Sequence, residues 1–241
     1  MQILYEKPLK VALKDNELIV DGKQHPKDVR RISQMKETFR GFVDLDFSVD
    51  KDVYYMFRDV FRKEGVRFDI TLIPPANIEG ECAKTYGHSH PVAEKDLTYP
   101  EVYQVLFGNA VFLLQKYNRD RSMDVLLIKG GKNDVLLIPP NFSHVTINPG
   151  NSLLVLANIV ADGFESDYSE FKKSRGAAFY YMADGNVEQN ANYVVKNLEK
   201  PEIKKFNSRY GFTCGDILGE LNSNPKKFEF LKKPSVLFSG R

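Results

Sequence analysis

Apolar and polar residues alternate with a period of two along most of this chain, in short runs cut by Gly, Pro and Asn. That period puts successive side chains on opposite faces and predicts β-strands rather than helices. Leu9–Leu13 and Glu17–Gly22 read as two strands joined by a turn at Lys14-Asp15-Asn16. Asp52–Phe61, with its Val53-Tyr54-Tyr55-Met56-Phe57 core, is a third, and Arg67–Ile73 a fourth that stops at Pro74-Pro75. In Arg67–Ile73 the apolar Phe68, Ile70 and Leu72 share one face, and Asp69, Thr71 and Ile73 the other. Thr85–His90 continues the series. Glu101–Phe107 and Ala110–Tyr117 form a hairpin around Gly108-Asn109, a dipeptide that tolerates the positive φ of tight turns. Met123–Lys129, Asp134–Ile138, His144–Asn148 and Ser152–Val160 follow, with one more strand near Ala177–Met182.

The period changes in two places. Asp28–Phe39 carries Val29, Ile32, Met35 and Phe39 at helical spacing and predicts a helix, with a strap of loop and short helix as the alternative. Beyond about Asn186 polar and basic residues mix with scattered apolar ones, which predicts an extension with one or two helices. Many short strands separated by Gly, Pro and Asn turns indicate an all-β sandwich or barrel, and a double-sheet jelly roll suits this strand count. The expected organisation is a β-barrel over residues 1–186 and a C-terminal extension over 187–241.

Composition narrows the class. The chain has 241 residues, 42% hydrophobic and 27% charged, as in ordinary globular proteins. A net charge of +2 gives no field that argues for nucleic acid. Cys82 and Cys214 lie far apart, outside any CxxC pair, and no disulfide framework is indicated. The N-terminus lacks the apolar run of a signal peptide, and no apolar run approaches the length of a membrane span. A cytoplasmic protein without membrane or nucleic-acid partners is expected.

The chemistry concentrates around the histidines. Only four are present, and His88, His90 and His144 fall in the predicted barrel strands. The fourth, His25, precedes a proline in a polar turn and reads as a surface residue. On a strand, His88 and His90 aim at one point; Glu101 shares a face with Tyr103, and His144 with Thr146 and Asn148. Burying so many polar groups without partners would cost several kcal/mol, which a bound metal would offset. His88, His90, Glu101 and His144 are therefore the candidate ligands. Glu94 is a rival carboxylate, but it sits in the irregular Pro91–Pro100 loop, whereas Glu101 heads a clear strand. No thiol belongs to the set, so an open site for iron(II), manganese, nickel or zinc is expected rather than a closed structural zinc.

The glycine, the HxH pair, the strand-leading Glu and the Pro-Pro segment before His144 together resemble the cupin superfamily. Val29–Met35 with its Arg-Arg-Ile-Ser, Thr85–His90, Glu101-Val102-Tyr103, Pro139-Pro140 with His144, and Asp167-Tyr168 are similar to the cupin-type glucose-6-phosphate isomerases of archaea and some bacteria. The resemblance covers roughly residues 5–185. Two positions depart from it. Tyr86 stands where the family often has Lys, and the Pro91–Pro100 loop is longer at the pocket mouth; the tail lies outside it.

The resemblance implies interconversion of glucose 6-phosphate and fructose 6-phosphate, a step of glycolysis and gluconeogenesis, in a homodimer with a divalent metal, iron(II) first. It implies an enediol route, with a metal-assisted hydride shift as the rival. Glu101 is the candidate base and Tyr103 its helper. Thr71, Thr85, the Gly87 backbone and Tyr168 are the candidate phosphate contacts, since hydroxyl donors and a close-approach glycine suit a dianion. The alternatives are a mannose-phosphate isomerase or an iron oxygenase on the same barrel, or a cupin that binds sugar phosphate without turnover.

Overall fold

The parity of Val66–Ile73 decides how its sheet is packed. Phe68, Ile70 and Leu72 are fully buried on one face, while Asp69, Thr71 and Ile73 occupy the other. The computed structural model describes residues 1–41 and 50–239. In it this strand sits within a six-stranded antiparallel sheet. The strand order is Val135–Ile138, Glu101–Phe107, Leu154–Ala161, Val66–Ile73, Asp52–Lys63 and Asp28–Arg31. A second sheet faces it, ordered Ser143–Ile147, Ala110–Tyr117, Met123–Gly130 and Val195–Glu199. Between them lies a core that includes Val105, Phe112, Leu114, Leu136 and Leu156.

This is the expected mainly-β jelly roll. Its two sheets keep separate strand orders among the described residues, so it is a double-sheet roll rather than one hydrogen-bonded cylinder. The six-stranded sheet is covered on its other face as well. An N-terminal meander of Gln2–Tyr5, Val11–Lys14, Glu17–Val20 and Lys23–Gln24 supplies Tyr5, Val11 and Leu18 to that second core. C-terminal elements supply Ile217, Leu221 and Phe228. Burial on both faces explains why every residue of Leu154–Ala161 is buried and why the segment reads as nearly continuous apolar sequence. Truncating a fully buried ring such as Phe68 to Ala would cost about 3–5 kcal/mol. The hairpin at Gly108 forms as expected: φ is +80°, and a Cβ there would lie 2.5 Å from the Leu153 carbonyl oxygen.

Three expectations need correction. The Pro91–Pro100 loop is not irregular, because Val92–Glu94 and Leu97–Thr98 pair as a hairpin within it. Asp28–Phe39 is not an α-helix. Asp28–Arg31 is an edge strand paired with Asp52–Lys63, followed by 3₁₀ turns at Ile32–Gln34 and Lys36–Thr38. Tight turns bury Ile32, Met35 and Phe39 at the same three- and four-residue spacings that a helix would. Thr85–His90 is not a continuous strand either; it is extended chain held by isolated bridges at Lys84, His88 and Ser89.

Residues 187–241 begin with strands before they turn helical. Val187–Gln189 pairs with Phe179–Tyr181, and Val195–Glu199 joins the four-stranded sheet in parallel. Helices Ile203–Ser208 and Ile217–Ser223 follow, then 3₁₀ segments at Pro225–Leu231 and Pro234–Phe238. Asp216 starts the second helix by accepting hydrogen bonds from the Leu218 and Gly219 amides. Among the described residues no helix is long and apolar enough to cross a membrane.

Candidate active site

The chain enters the site through Gly87. Its φ is +86°, and a Cβ would stand 2.5 Å from both the Phe171 ring and Val145 Cγ2, so only glycine fits. Past it, His88 and His144 exchange backbone hydrogen bonds of 3.1 and 3.0 Å, and Ser89 and Asp167 exchange two of 2.9 Å. These bridges keep the segment extended, and alternation then brings the Nε2 atoms of His88 and His90 to 3.2 Å. Glu101, at the head of its strand, places Oε2 3.1 Å from His144 Nε2, 3.5 Å from His90 Nε2 and 3.9 Å from His88 Nε2. His88, Glu101 and His144 each offer a donor atom within 4.8 Å of the other two, and His90 joins the group through His88 and Glu101.

This donor set fits a divalent cation. With ligand bonds of about 2.1 Å, neighbouring donors stand about 3.0–3.4 Å apart. Glu101 Oε2 is buried and meets hydrogen-bond geometry with no partner, a costly condition that a cation would relieve. Hydrogen bonds on the far sides of the candidate ligands aim them inward. His90 Nδ1 lies 2.8 Å from the Tyr99 carbonyl oxygen; a carbonyl only accepts, so Nδ1 carries the proton and Nε2 its lone pair. Asn158 Nδ2 donates to Glu101 Oε1 at 2.7 Å.

Electrostatics favours the same state. Burial holds the His88 imidazole well below its usual range, helped by His144, His90 and the nearby Arg58 charge. Burial also lowers His90, against the pull of Glu101. Neutral imidazoles are the ligating form. Burial alone would raise the Glu101 carboxyl, but His144, His90 and Tyr103 hold it below its usual range. Tyr103 is pushed well above the ordinary phenol value by burial and by Glu101, and its hydroxyl lies 3.3 Å from His144 Nε2.

A cavity of about 480 Å³ opens over this group. Thr71, Thr85, Gly87 and Tyr168 line it with Tyr103, His88, His90 and Glu101. Thr85 Oγ1 accepts from the Thr146 amide at 3.0 Å. The Tyr168 ring packs edge-on against Tyr86 at 5.3 Å and lies 5.7 Å from the His88 ring. His144 touches the ligand group from behind without lining the cavity.

The cavity also contains residues that the sequence reading passed over. Arg58, Arg67, Asp69, Asn158 and Phe164 line it. Arg67 Nε is held 2.9 Å from Asp69, and Arg58 Nε 3.1 Å from Asp28. Parity was the available signal, because Arg67, Asp69 and Thr71 alternate on one face. Asn158 gave none, since its strand is otherwise apolar.

Three other residues fall outside the site. Glu94 Oε2 accepts from the Ser235 amide at 2.8 Å. Lys84 is buried against Glu81, with Nζ 2.7 Å from the Thr38 carbonyl, and does not line the cavity. His25 Nε2 meets the Arg58 carbonyl at 2.8 Å.

The chain is also similar to characterised sequences. A family model described as Glucose-6-phosphate isomerase (GPI) matches residues 23–197. A glucose-6-phosphate isomerase from Pyrococcus horikoshii is 28% identical over 201 residues, covering 80% of this chain and all of that one. One from Thermococcus litoralis is 26% identical over 203 residues, covering 81% of this chain and 97% of its own. A solved cupin-2 domain protein from Shewanella frigidimarina aligns with 43% of this chain and 78% of its own, at 15% identity and a TM-score of 0.28. The family match spans most of the jelly roll and every candidate ligand, and this chain belongs to the glucose-6-phosphate isomerase family.

Proposed function

We propose that this chain interconverts glucose 6-phosphate and fructose 6-phosphate, using a divalent metal held by His88, His90, His144 and Glu101. The observation that carries the reading is Glu101 Oε2: buried, without a hydrogen bond, and within 3.9 Å of three imidazole nitrogens. Three nitrogens and one carboxylate suit iron(II), manganese, nickel or zinc, of which iron(II) is proposed. When bound, such an ion would supply Lewis acidity to the substrate's carbonyl oxygen.

The chain's own groups supply the rest. Aldose–ketose interconversion removes a proton from the carbon beside a carbonyl and returns it to the neighbouring carbon. Glu101, held below the usual carboxyl range by His144, His90 and Tyr103 against its burial, stays ionised and takes the role of base for both transfers. Tyr103 keeps its proton at neutral pH and can pass one between the two substrate oxygens. Thr71, Thr85, the Gly87 amide and Tyr168 are proposed for the phosphate. Arg58 and Arg67 add positive charge to the same cavity, which favours a dianionic ligand. Residues 1–186 are taken as the catalytic unit, residues 187–241 as its extension, and a cytoplasmic homodimer serving glycolysis and gluconeogenesis as the working form.

A coupled assay tests the proposal. Protein dialysed against chelator should lose fructose 6-phosphate turnover and regain it when iron(II), manganese, nickel or zinc is added back singly. Absence of turnover with every metal would overturn the isomerase reading. Oxygen uptake, or preference for mannose 6-phosphate, would redirect it.

A further inference from the structure

His90 owes its orientation to a carbonyl directly after a hairpin, and the C-terminal segment holds that hairpin. The hairpin pairs Val92–Glu94 with Leu97–Thr98 and is closed by a 3.1 Å hydrogen bond from the Tyr99 amide to the Pro91 carbonyl. Among the described residues it pairs with no further strand. An isolated two-stranded hairpin is marginal in water. Two attachments hold it. Thr98 and Asn141 exchange hydrogen bonds of 3.0 and 2.7 Å on one side. On the other, Pro234–Phe238 lies against both strands, and the Ser235 amide donates to Glu94 Oε2 at 2.8 Å.

That segment is itself anchored to the roll. Leu231 and Pro234 are buried, and Lys232 Nζ donates to the Glu64 carbonyl at 2.7 Å. Directly after the hairpin, Tyr99 presents its carbonyl to His90 Nδ1 at 2.8 Å. Its ring stacks on Phe164 at 4.5 Å and 9°, and Phe164 packs on the His90 ring at 4.8 Å. The family match ends at residue 197, so Pro234–Phe238 lies beyond it.

We propose that Pro234–Phe238 is a brace acting through Glu94 and the hairpin, that it fixes the Tyr99 carbonyl, and that Tyr99 is thereby the positioning residue for His90. The brace rests on the metal reading only for its effect on affinity, not for its effect on the ring.

Three variants test it: removal of residues 234–241, Glu94→Ala, and Glu94→Gln, which retains an acceptor oxygen. The first readout needs no metal: exchange of the His90 Nδ1 proton and of the amides of residues 92–99, by NMR in chelator. The second is the cobalt(II) dissociation constant by chelator competition. Truncation and Glu94→Ala should speed the exchange at least about tenfold and weaken cobalt about tenfold, the scale of lost support behind a ligand. Glu94→Gln should stay near wild type in both. Unchanged His90 exchange in the truncated chain overturns the brace, as does faster exchange with cobalt affinity unaltered. If the wild-type chain takes up no cobalt, the metal reading fails, and the His90 proton alone decides the brace.

Discussion

Asn158 Nδ2 donates to Glu101 Oε1 at 2.7 Å, and this bond decides which carboxylate oxygen faces the imidazoles. The two residues come from neighbouring strands, where Asn158 stands opposite Tyr103 on one side and Asp69 on the other. With Oε1 turned to the amide, Oε2 faces the imidazoles and the proposed cation, and a remaining carboxylate lone pair is left for the transferred proton. Asn158→Leu keeps the volume and removes the donor. Metal affinity should fall about 10- to 100-fold, and turnover at saturating metal should drop with it. Stability should fall by about 1–3 kcal/mol from the unpaired buried oxygen. Chelator competition, the coupled assay and denaturant melts measure these effects. Affinity and turnover within twofold of wild type would show that Glu101 needs no such support.

The proposed ligands separate by function. His88→Ala and His144→Ala should each abolish stoichiometric metal and turnover together, because each removes a nitrogen from a group spanning 4.8 Å or less. Glu101→Gln leaves one carbonyl oxygen, for which the Asn158 donor and the metal compete, and cannot hold the transferred proton as a carboxyl. It should retain part of the metal and lose most of the turnover. Elemental analysis with the coupled assay checks both. Full metal in the two histidine variants would dismantle the site, and wild-type turnover in Glu101→Gln would remove it as base.

The clustering of His88, His90, Glu101 and His144 was legible in the sequence because it depends on parity. His88 and His90 are two residues apart, Glu101 heads a run of buried residues, and extended chain needs no further information to put such groups on one face. The jelly roll was legible for the same reason. Period-three spacing misled: Ile32, Met35 and Phe39 imitate a helix while packing through 3₁₀ turns beside an edge strand. The carbonyl of Tyr99 behind His90 left no trace, since any residue supplies a carbonyl and only the hairpin's path brings this one near. Arg67 was within reach of parity, since it alternates with Asp69 and Thr71. Arg58 was not: it lies in the middle of Asp52–Lys63, where a charged residue ordinarily faces solvent, and only the structure pairs it with Asp28 at the cavity wall.

The two threonines of the cavity should respond differently to loss of their hydroxyls. Thr85 Oγ1 accepts from the buried Thr146 amide, so Thr85→Val should cost about 1–3 kcal/mol as well as phosphate affinity. Thr71 is 9% exposed at the cavity wall, and Thr71→Val should raise KM several-fold with little change in melting temperature. In both variants KM should move more than kcat, because the contact is made in ground and transition states alike. Steady-state kinetics beside thermal melts resolves the pair. An unchanged KM in both would move the phosphate away from these residues.

The metal-free protein should lose stability as the solution is acidified through the histidine range. Burial lowers His88 and His90 below their ordinary value of 6.5, so both stay neutral in the folded chain where the unfolded chain already binds protons. The unfolded state then holds more protons, and stability falls with falling pH. The stability of the neutral forms is complete above about pH 7.5. It declines below about pH 6.5, with a slope approaching ~1.4 kcal/mol per pH unit for each histidine. Glu101, also lowered, adds loss of the same sign below its ordinary value of 4.5. Asp69, raised by burial, acts in the opposite sense above its ordinary value of 3.8, so the histidines' share of the window between about pH 5 and 8 is read from their variants. Melting temperatures in chelator across that window should decline toward acid, and His88→Asn and His90→Asn should each flatten the decline. A flat wild-type profile between about pH 5 and 7 would mean that these imidazoles are not held neutral by burial.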